Sequence, residues 1–298
     1  MTGGASNRRS FRGLLVIMAT VTLVTAAGCN RGERSQETTL QRIQRAGVVR
    51  VGYANEAPYA YMDEENGRLT GEAPEIARVV LKEMGVERVE GVLTEFGALI
   101  PGLKAKRFDI IAAGMYILPQ RCREIAFTDP TYRIGEAFLV KAGNPLDLHS
   151  YEDVAAHSDA RLGVVAGAVE LAYARATGIP DDRIAVLPDA PSAVAAVQAD
   201  RVDAYAGTAL TVQDMLNKAG DGGVERAAPF KNPVIDGEQV SGYGAFGIRQ
   251  EDTALLAALN ERLHAFVGSA EHLRLVKPFG FTRAEMPGGM TAARLCGK

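Results

Sequence analysis

Short apolar runs of strand length alternate with amphipathic stretches of helical length, and they do so in two separate blocks of the chain. Such alternation is satisfied by a mostly parallel sheet covered with helices, so each block reads as one α/β unit. In the first block, residues 48–53 and 86–93 read as strands, 74–84 and 96–107 as helices, and 109–115 as a fully buried strand. The helix over 74–84 has Pro74 in its first turn and Glu75 at the positive end of the dipole. Ile76, Val79, Val80 and Met84 share one face, and Gly85 closes it. In the second block, 161–166, 184–187 and 202–206 read as strands, and 169–177 and 191–199 as helices. Residues 138–141 and 242–248 are extended segments outside both blocks, and they read as two hinge strands crossing between lobes. Residues 252–267 form an amphipathic helix (Leu255, Leu256, Leu259, Leu263, Phe266) that returns to the first lobe. The expected fold is α/β with two lobes: 40–138 and 243–298 form lobe one, and 139–242 form lobe two.

Residues 1–28 carry a different pattern. Arg8, Arg9 and Arg12 make a charged head, and 14–27 is an apolar run ending in small residues. That run is short for a membrane span and has the flanks of a signal peptide. Ala26-Ala27-Gly28 before Cys29 resembles a bacterial lipobox, which implies that Cys29 becomes the first mature residue and carries lipid. An ordinary secretory signal with a chance cysteine is the alternative. Arg9-Ser10-Phe11 after Arg8 also resembles a twin-arginine signal, so both export routes stay open. Residues 29–39 then serve as a polar tether, and the expected place of the protein is extracytoplasmic, held to the membrane by that lipid. Cleavage would remove three Arg and no acid, taking the net charge from −3 to −6. With no Lys/Arg run either, nucleic acid is not an expected partner. Cys122 and Cys296 are left as a pair in an oxidising compartment, either bonded to each other or as two separate thiols.

The string Asp109-Ile110-Ile111-Ala112-Ala113-Gly114-Met115, followed by Arg121 and then Phe127-Thr128-Asp129-Pro130, resembles the polar-amino-acid family of periplasmic binding proteins across residues 40–285. The resemblance implies a type II periplasmic-binding-protein fold, a ligand held between the lobes, and delivery to the permease and ATPase of an ABC uptake system by a monomer. It also implies that Arg121 grips a carboxylate, a role its bidentate and permanently charged guanidinium suits. A surface ion pair with Glu124 is the plainer role for the same residue.

Three departures from the family pattern stand out, the first being Gly71-Glu72-Ala73-Pro74-Glu75 where relatives enter the first helix with Gly-Phe-Asp. Tyr116 occupies a position where relatives place Ser or Thr, and the strand 202–206 runs into Gly207-Thr208 where relatives carry an acid for an α-ammonium. Together with Asn55-Glu56-Ala57-Pro58-Tyr59, the run from Glu95 to Leu103, Pro119-Gln120-Arg121-Cys122, the run from Lys141 to Leu146 and Leu295-Cys296, these departures resemble the ectoine/hydroxyectoine-binding subgroup. That resemblance implies a pocket lined by Glu56, Tyr59, Phe96, Tyr116 and Arg121 from lobe one, and by Glu170, Gly167 and Thr208 from lobe two. A cyclic zwitterion with a delocalised cation suits aromatic faces, each contributing about 0.5–2 kcal/mol when desolvated. Glu56 and Glu170 would accept its N–H groups, Arg121 would hold its carboxylate, and backbone N–H groups around Gly167 would assist. Core packing for Phe96 and Tyr59, and a solvated loop position for Glu56, are the plainer alternatives.

The resemblance leaves room for a polar amino acid or a betaine-type solute in the same fold. An enzyme on this scaffold would need a general acid in the cleft. His149, His157, His264 and His272 lie away from the pocket motifs, and no metal-spaced, phosphate-loop or Ser/His/Asp pattern occurs. Neither cofactor nor metal is therefore expected. A receptor's sensor domain is disfavoured because no signalling segment follows the second block.

Overall fold

The computed structural model describes residue 1 and residues 37–297 other than 221 and 236. The signal, lipobox and Cys29 expectations lie outside the described residues. The tether expected to reach residue 39 gives way to helix one residue earlier. Thr38 caps α1 (Thr39–Ala46): its hydroxyl accepts from the Gln41 N–H, and the Gln41 side chain accepts from the Thr38 N–H.

The first run of elements is β1 (Val48–Tyr53), a hairpin β2 (Tyr61–Met62) and β3 (Leu69–Thr70), α2 (Glu72–Glu83), β4 (Arg88–Leu93), α3 (Leu99–Lys104), β5 (Ile110–Ile111), α4 (Pro119–Cys122) and β6 (Ala126–Phe127). The second is β7 (Tyr132–Ile134), β8 (Glu136–Lys141), α5 (Tyr151–Ala156), β9 (Leu162–Val165), α6 (Glu170–Ala176), β10 (Ile184–Leu187), α7 (Ser192–Gln198), β11 (Ala204–Thr208), α8 (Ala209–Ala219) and β12 (Val224–Arg226). The chain then returns through β13 (Val234–Ile235), β14 (Glu238–Gln239), β15 (Gly242–Gly244), β16 (Gly247–Ile248), α9 (Thr253–Phe266), α10 (Ala270–Val276) and α11 (Ala292–Leu295).

Two five-stranded sheets result, in the orders β4-β1-β5-β16-β6 and β10-β9-β11-β8-β12. In the first, β1 runs parallel to β4 and β5, while the returning β16 lies antiparallel to β5 and β6. In the second, β9, β10 and β11 are parallel, and β8 pairs antiparallel with β11 and β12. Helices cover the sheets with apolar stripes at helical spacing. α2 buries Ile76, Ala77, Val80 and Leu81, and α9 buries Leu255, Leu259, Leu263 and Phe266. The fold is thus α/β with two sheet-and-helix lobes.

Residues 138–141 are not a hinge strand. They lie inside β8, where Phe138, Leu139 and Val140 are buried between β11 and β12, as a continuous apolar run should be. The chain therefore enters the second sheet at Glu136, and the crossing ribbon is β7 paired with β15, Ile134 opposite Gly242 and Tyr132 opposite Gly244. Two aromatic rings lie flat on this ribbon. A Cβ on Gly242 would stand 2.0 Å from the Tyr116 ring, and one on Gly244 would stand 2.1 Å from the Tyr132 ring. Residues 109–115 also differ from expectation: only Ile110 and Ile111 pair with β1, and the chain then leaves the sheet as a loop. That loop carries part of the site.

Candidate functional site

Between the lobes lies a cavity enclosing about 390 Å³ including its mouth, and Glu56, Tyr59, Phe96, Tyr116, Arg121, Glu170 and Thr208 all line it. Seven of the eight residues expected at the pocket thus come together. Each is aimed by local backbone structure.

The loop after β1 is folded on itself, Glu56 and Ala60 exchanging backbone bonds of 2.8 and 2.9 Å. Its carbonyls at Pro58 and Tyr59 accept the first N–H groups of α2, from Glu72 and Ala73. Gly71 makes this approach possible with φ 116, because a Cβ there would meet the Tyr59 carbonyl. Glu56 and Tyr59 are thereby held over the cavity. Phe96 opens a single 3₁₀ turn. Gly114 turns the chain after β5 with φ 68 and lies against the Tyr59 ring. Beyond it the Met115 carbonyl accepts from the Ala245 N–H, and the Ile117 N–H donates to the Tyr243 carbonyl, which pins Tyr116 to the crossing ribbon.

Arg121 sits on α4 and is 9% exposed. Glu124 pairs instead with Lys104, so the surface ion pair considered for Arg121 does not form. The guanidinium lies 5.5 Å from the centre of the Phe96 ring. It donates to the Tyr116 carbonyl at 2.9 Å and, across the cleft, to the Gly167 carbonyl at 3.0 Å. Gly167 is thus beside the cavity as an acceptor for Arg121 and is not part of its wall. Its φ of 77 and the Gly97 backbone, 2.5 Å from where a Cβ would be, explain why this residue is glycine.

Lobe two supplies Glu170 from the start of α6 and Thr208 from the end of β11. Thr208 belongs to a chain of hydroxyls that closes the cleft. Tyr59 donates to Thr208 at 2.8 Å, Thr208 to Thr211 at 3.0 Å, and Thr211 to Glu56 Oε1 at 2.8 Å. The chain starts and ends in the same lobe-one loop and passes through the first turn of α8.

The site is rich in acid. Burial pushes Glu56 up to about 7, opposed by the Thr211 hydrogen bond and assisted by the charge of Glu170. Burial also raises Glu170, against its own backbone N–H and Arg121. One buried cation facing two buried carboxyls, with Tyr59, Phe96 and Tyr116 as walls, can hold a small molecule that carries one carboxylate and one cation. None of the four histidines lines this cavity.

Sequence reasoning missed Thr211 and Glu136. Thr211 follows the helix cap Thr208 by three residues, the spacing at which a capping side chain meets the helix. Glu136 stands directly before the apolar run of β8, a place where an acid is costly without a purpose.

A model of the bacterial extracellular solute-binding proteins, family 3, matches residues 49–281. A probable amino-acid ABC transporter periplasmic-binding protein of Sinorhizobium fredii is 39% identical over 245 residues, which are 82% of this chain and 80% of that protein. The histidine-binding periplasmic protein of Salmonella typhimurium is 26% identical over 235 residues, 78% of this chain and 86% of that one. Among solved structures, EhuB in complex with hydroxyectoine superposes with a TM-score of 0.79 at 35% identity, covering 87% of this chain and 97% of EhuB. The chain therefore belongs to the bacterial extracellular solute-binding proteins, family 3, and is a binding protein of an amino-acid-type ABC transporter and not an enzyme.

Proposed function

We propose that this protein captures ectoine or hydroxyectoine between its lobes and delivers it to an ABC permease and its ATPase. The observation that carries the reading is the cavity's donor set: Arg121 as the single cation, Glu56 and Glu170 as carboxyls, and Thr208 rather than an acid at the end of β11. A primary ammonium of an α-amino acid would lack its partner at Thr208. An amidinium, whose charge is spread and whose N–H groups point two ways, finds Glu56 and Glu170 on different lobes and aromatic faces between them. The 35% identity to EhuB, solved with hydroxyectoine, supports the same reading.

In this reading Arg121 takes the ligand carboxylate, and Tyr59, Phe96 and Tyr116 flank the ring. Closure through the Tyr59–Thr208–Thr211–Glu56 chain rewards a bound ligand. We further assign lobe one to the segments around the first sheet and lobe two to those around the second, with Cys29 lipidated, Cys122 bonded to Cys296, and the protein a monomer outside the cytoplasm. Calorimetric titration with ectoine, hydroxyectoine, glycine betaine and polar amino acids tests the ligand. Tight binding of an ordinary α-amino acid with none of ectoine would overturn the assignment.

A further inference from the structure

Glu136 is 3% exposed at the head of β8, opposite Thr208 in the ladder with β11. Its backbone N–H donates to Asn232 Oδ1 at 2.6 Å, and its Oε1 accepts from the Tyr116 hydroxyl at 3.4 Å. Glu136 Oε2 and Glu170 Oε2 are both sealed from solvent, and no N–H or hydroxyl donor reaches either. Burial raises both carboxyls and each side chain acts on the other, that of Glu170 raising Glu136 and that of Glu136 lowering Glu170, so the two sit side by side. Such a contact requires one proton between them, because two carboxylates side by side out of water repel.

The surroundings decide which residue keeps that proton. Glu170 accepts from its own backbone N–H and faces the guanidinium of Arg121, both of which favour its charged form. Glu136 has only the Tyr116 hydroxyl, at 3.4 Å, to favour ionisation, and it faces the charges of Glu170 and Glu56. Tyr151, Tyr173 and Tyr205 are the phenols nearby in lobe two. Glu136 is therefore the acid and Glu170 the carboxylate.

We propose that Glu136 is a positioning residue for the cation end of the ligand: its carboxyl donates to Glu170 and accepts from Tyr116, aiming one charged oxygen and one aromatic face at the same group. This deepens the reading of the cavity as a zwitterion site and rests on it. Tyr116 and Glu170 line the cavity, whereas Glu136 stands behind them. Gly242 holds the inner face of the Tyr116 ring, and Glu136 holds its hydroxyl, so the plane of this aromatic wall is set from two sides. The ligand class that gains most is a delocalised cation with N–H groups. Such a cation needs an aimed acceptor and an aimed ring at once, whereas a quaternary ammonium needs only the ring.

The test titrates the full chain with ectoine as wild type, Glu136→Met and Glu136→Gln, each first melted to confirm folding. Met fills the space with neither donor nor acceptor, and about 10- to 100-fold weaker binding is expected. Gln still donates to Glu170 and accepts from Tyr116, so it recovers most of that loss, to within about 5-fold of wild type. Equal binding by wild type and Glu136→Met overturns the inference, as does a Gln variant as impaired as the Met variant. Tyr116→Phe reads the same network if the Met variant does not fold. About 3- to 10-fold weaker binding is expected from loss of one buried hydrogen bond, and unchanged binding overturns the phenol's part. Failure of wild type to bind ectoine overturns the ligand reading separately. The same proteins are then compared on whichever of hydroxyectoine or arginine wild type binds, with the order wild type, Gln, Met still expected. No binding of any of them overturns both.

Discussion

The hydroxyl of Thr211, in lobe two, donates to Glu56 Oε1, in lobe one, at 2.8 Å across the cleft. Thr211 is itself fully buried and accepts from Thr208, so this one hydroxyl ties the closing chain to the pocket acid. Thr211→Val keeps the shape and removes the link. It leaves Glu56 without its protein donor, and a bond of this kind to a charged group contributes about 1.5–3 kcal/mol. Ligand affinity should fall by about 10-fold or more, with the melting temperature of the free protein changed far less. Parallel titrations and melts of the two proteins check this.

Glu56 also sets a pH dependence. Burial holds its carboxyl at about 7 in the free protein, above the ordinary 4.5. A ligand cation favours the carboxylate, so below that value binding must expel a proton. Affinity should therefore rise with pH from about 5.5 and level off above about 8, by close to tenfold per pH unit on the acid side at most. Glu56→Gln should bind weakly and with a flatter profile. A wild-type affinity constant across this window would show that the cation does not meet Glu56.

Glu72 gives the opposite slope to stability. It is buried at the start of α2, accepts from the Thr131 hydroxyl at 2.7 Å, and burial raises it to about 8. An acid raised in the folded state stabilises the fold fully below its unfolded value near 4.5. It loses that contribution as pH climbs through about 8. The free protein should thus melt lower at pH 8 than at pH 5, by on the order of 3 kcal/mol from this residue, or roughly 2–4 °C per kcal/mol. Glu72→Gln should flatten that slope, and melts at three pH values decide it.

Much of this was legible in the residues, for physical reasons that differ by position. The helix 72–83 and the terminal helix 253–266 carry apolar stripes that only one period explains, and both appear within two residues of expectation. Arg121 was legible through the family resemblance, which separated it from Arg123 two residues on, and not from its own surroundings in the sequence. The apolar run 138–141 misled because burial on both faces erases the alternation that separates an interior strand from a crossing one. Glu136 and Thr211 were not legible because their meaning lies in partners 20 to 155 positions away, set by the closure of two lobes.

Arg121 should not tolerate replacement by Lys. The guanidinium serves the Tyr116 carbonyl, the Gly167 carbonyl and the Phe96 face at once, while still presenting N–H groups to the cavity. An ammonium has three donors and no flat face. Arg121→Lys should weaken binding by about 100-fold or more, since the proposed carboxylate contact and the bond to the Gly167 carbonyl across the cleft would be lost together. Retention of near wild-type affinity would place the ligand carboxylate elsewhere.

Cys122 follows Arg121 on α4, and Cys296 ends the C-terminal helix, with their Cα atoms 5.8 Å apart and 174 positions between them. A bond at this place closes a loop containing most of lobe one's second half and all of lobe two. For so long a loop, chain entropy alone predicts stabilisation on the order of 5 kcal/mol, and 2–5 kcal/mol is the usual cost of removing a native disulfide. Reduction, or Cys122→Ser with Cys296→Ser, should lower the melting temperature by about 5–15 °C. Arg121 has two backbone acceptors of its own, so affinity in the reduced protein at 25 °C should stay within about threefold. A thiol count before and after reduction decides whether the bond exists. An unchanged melting temperature with two free thiols at the outset would sink it. A large loss of affinity at an unchanged melting temperature would instead make the bond a support for Arg121 rather than for the fold.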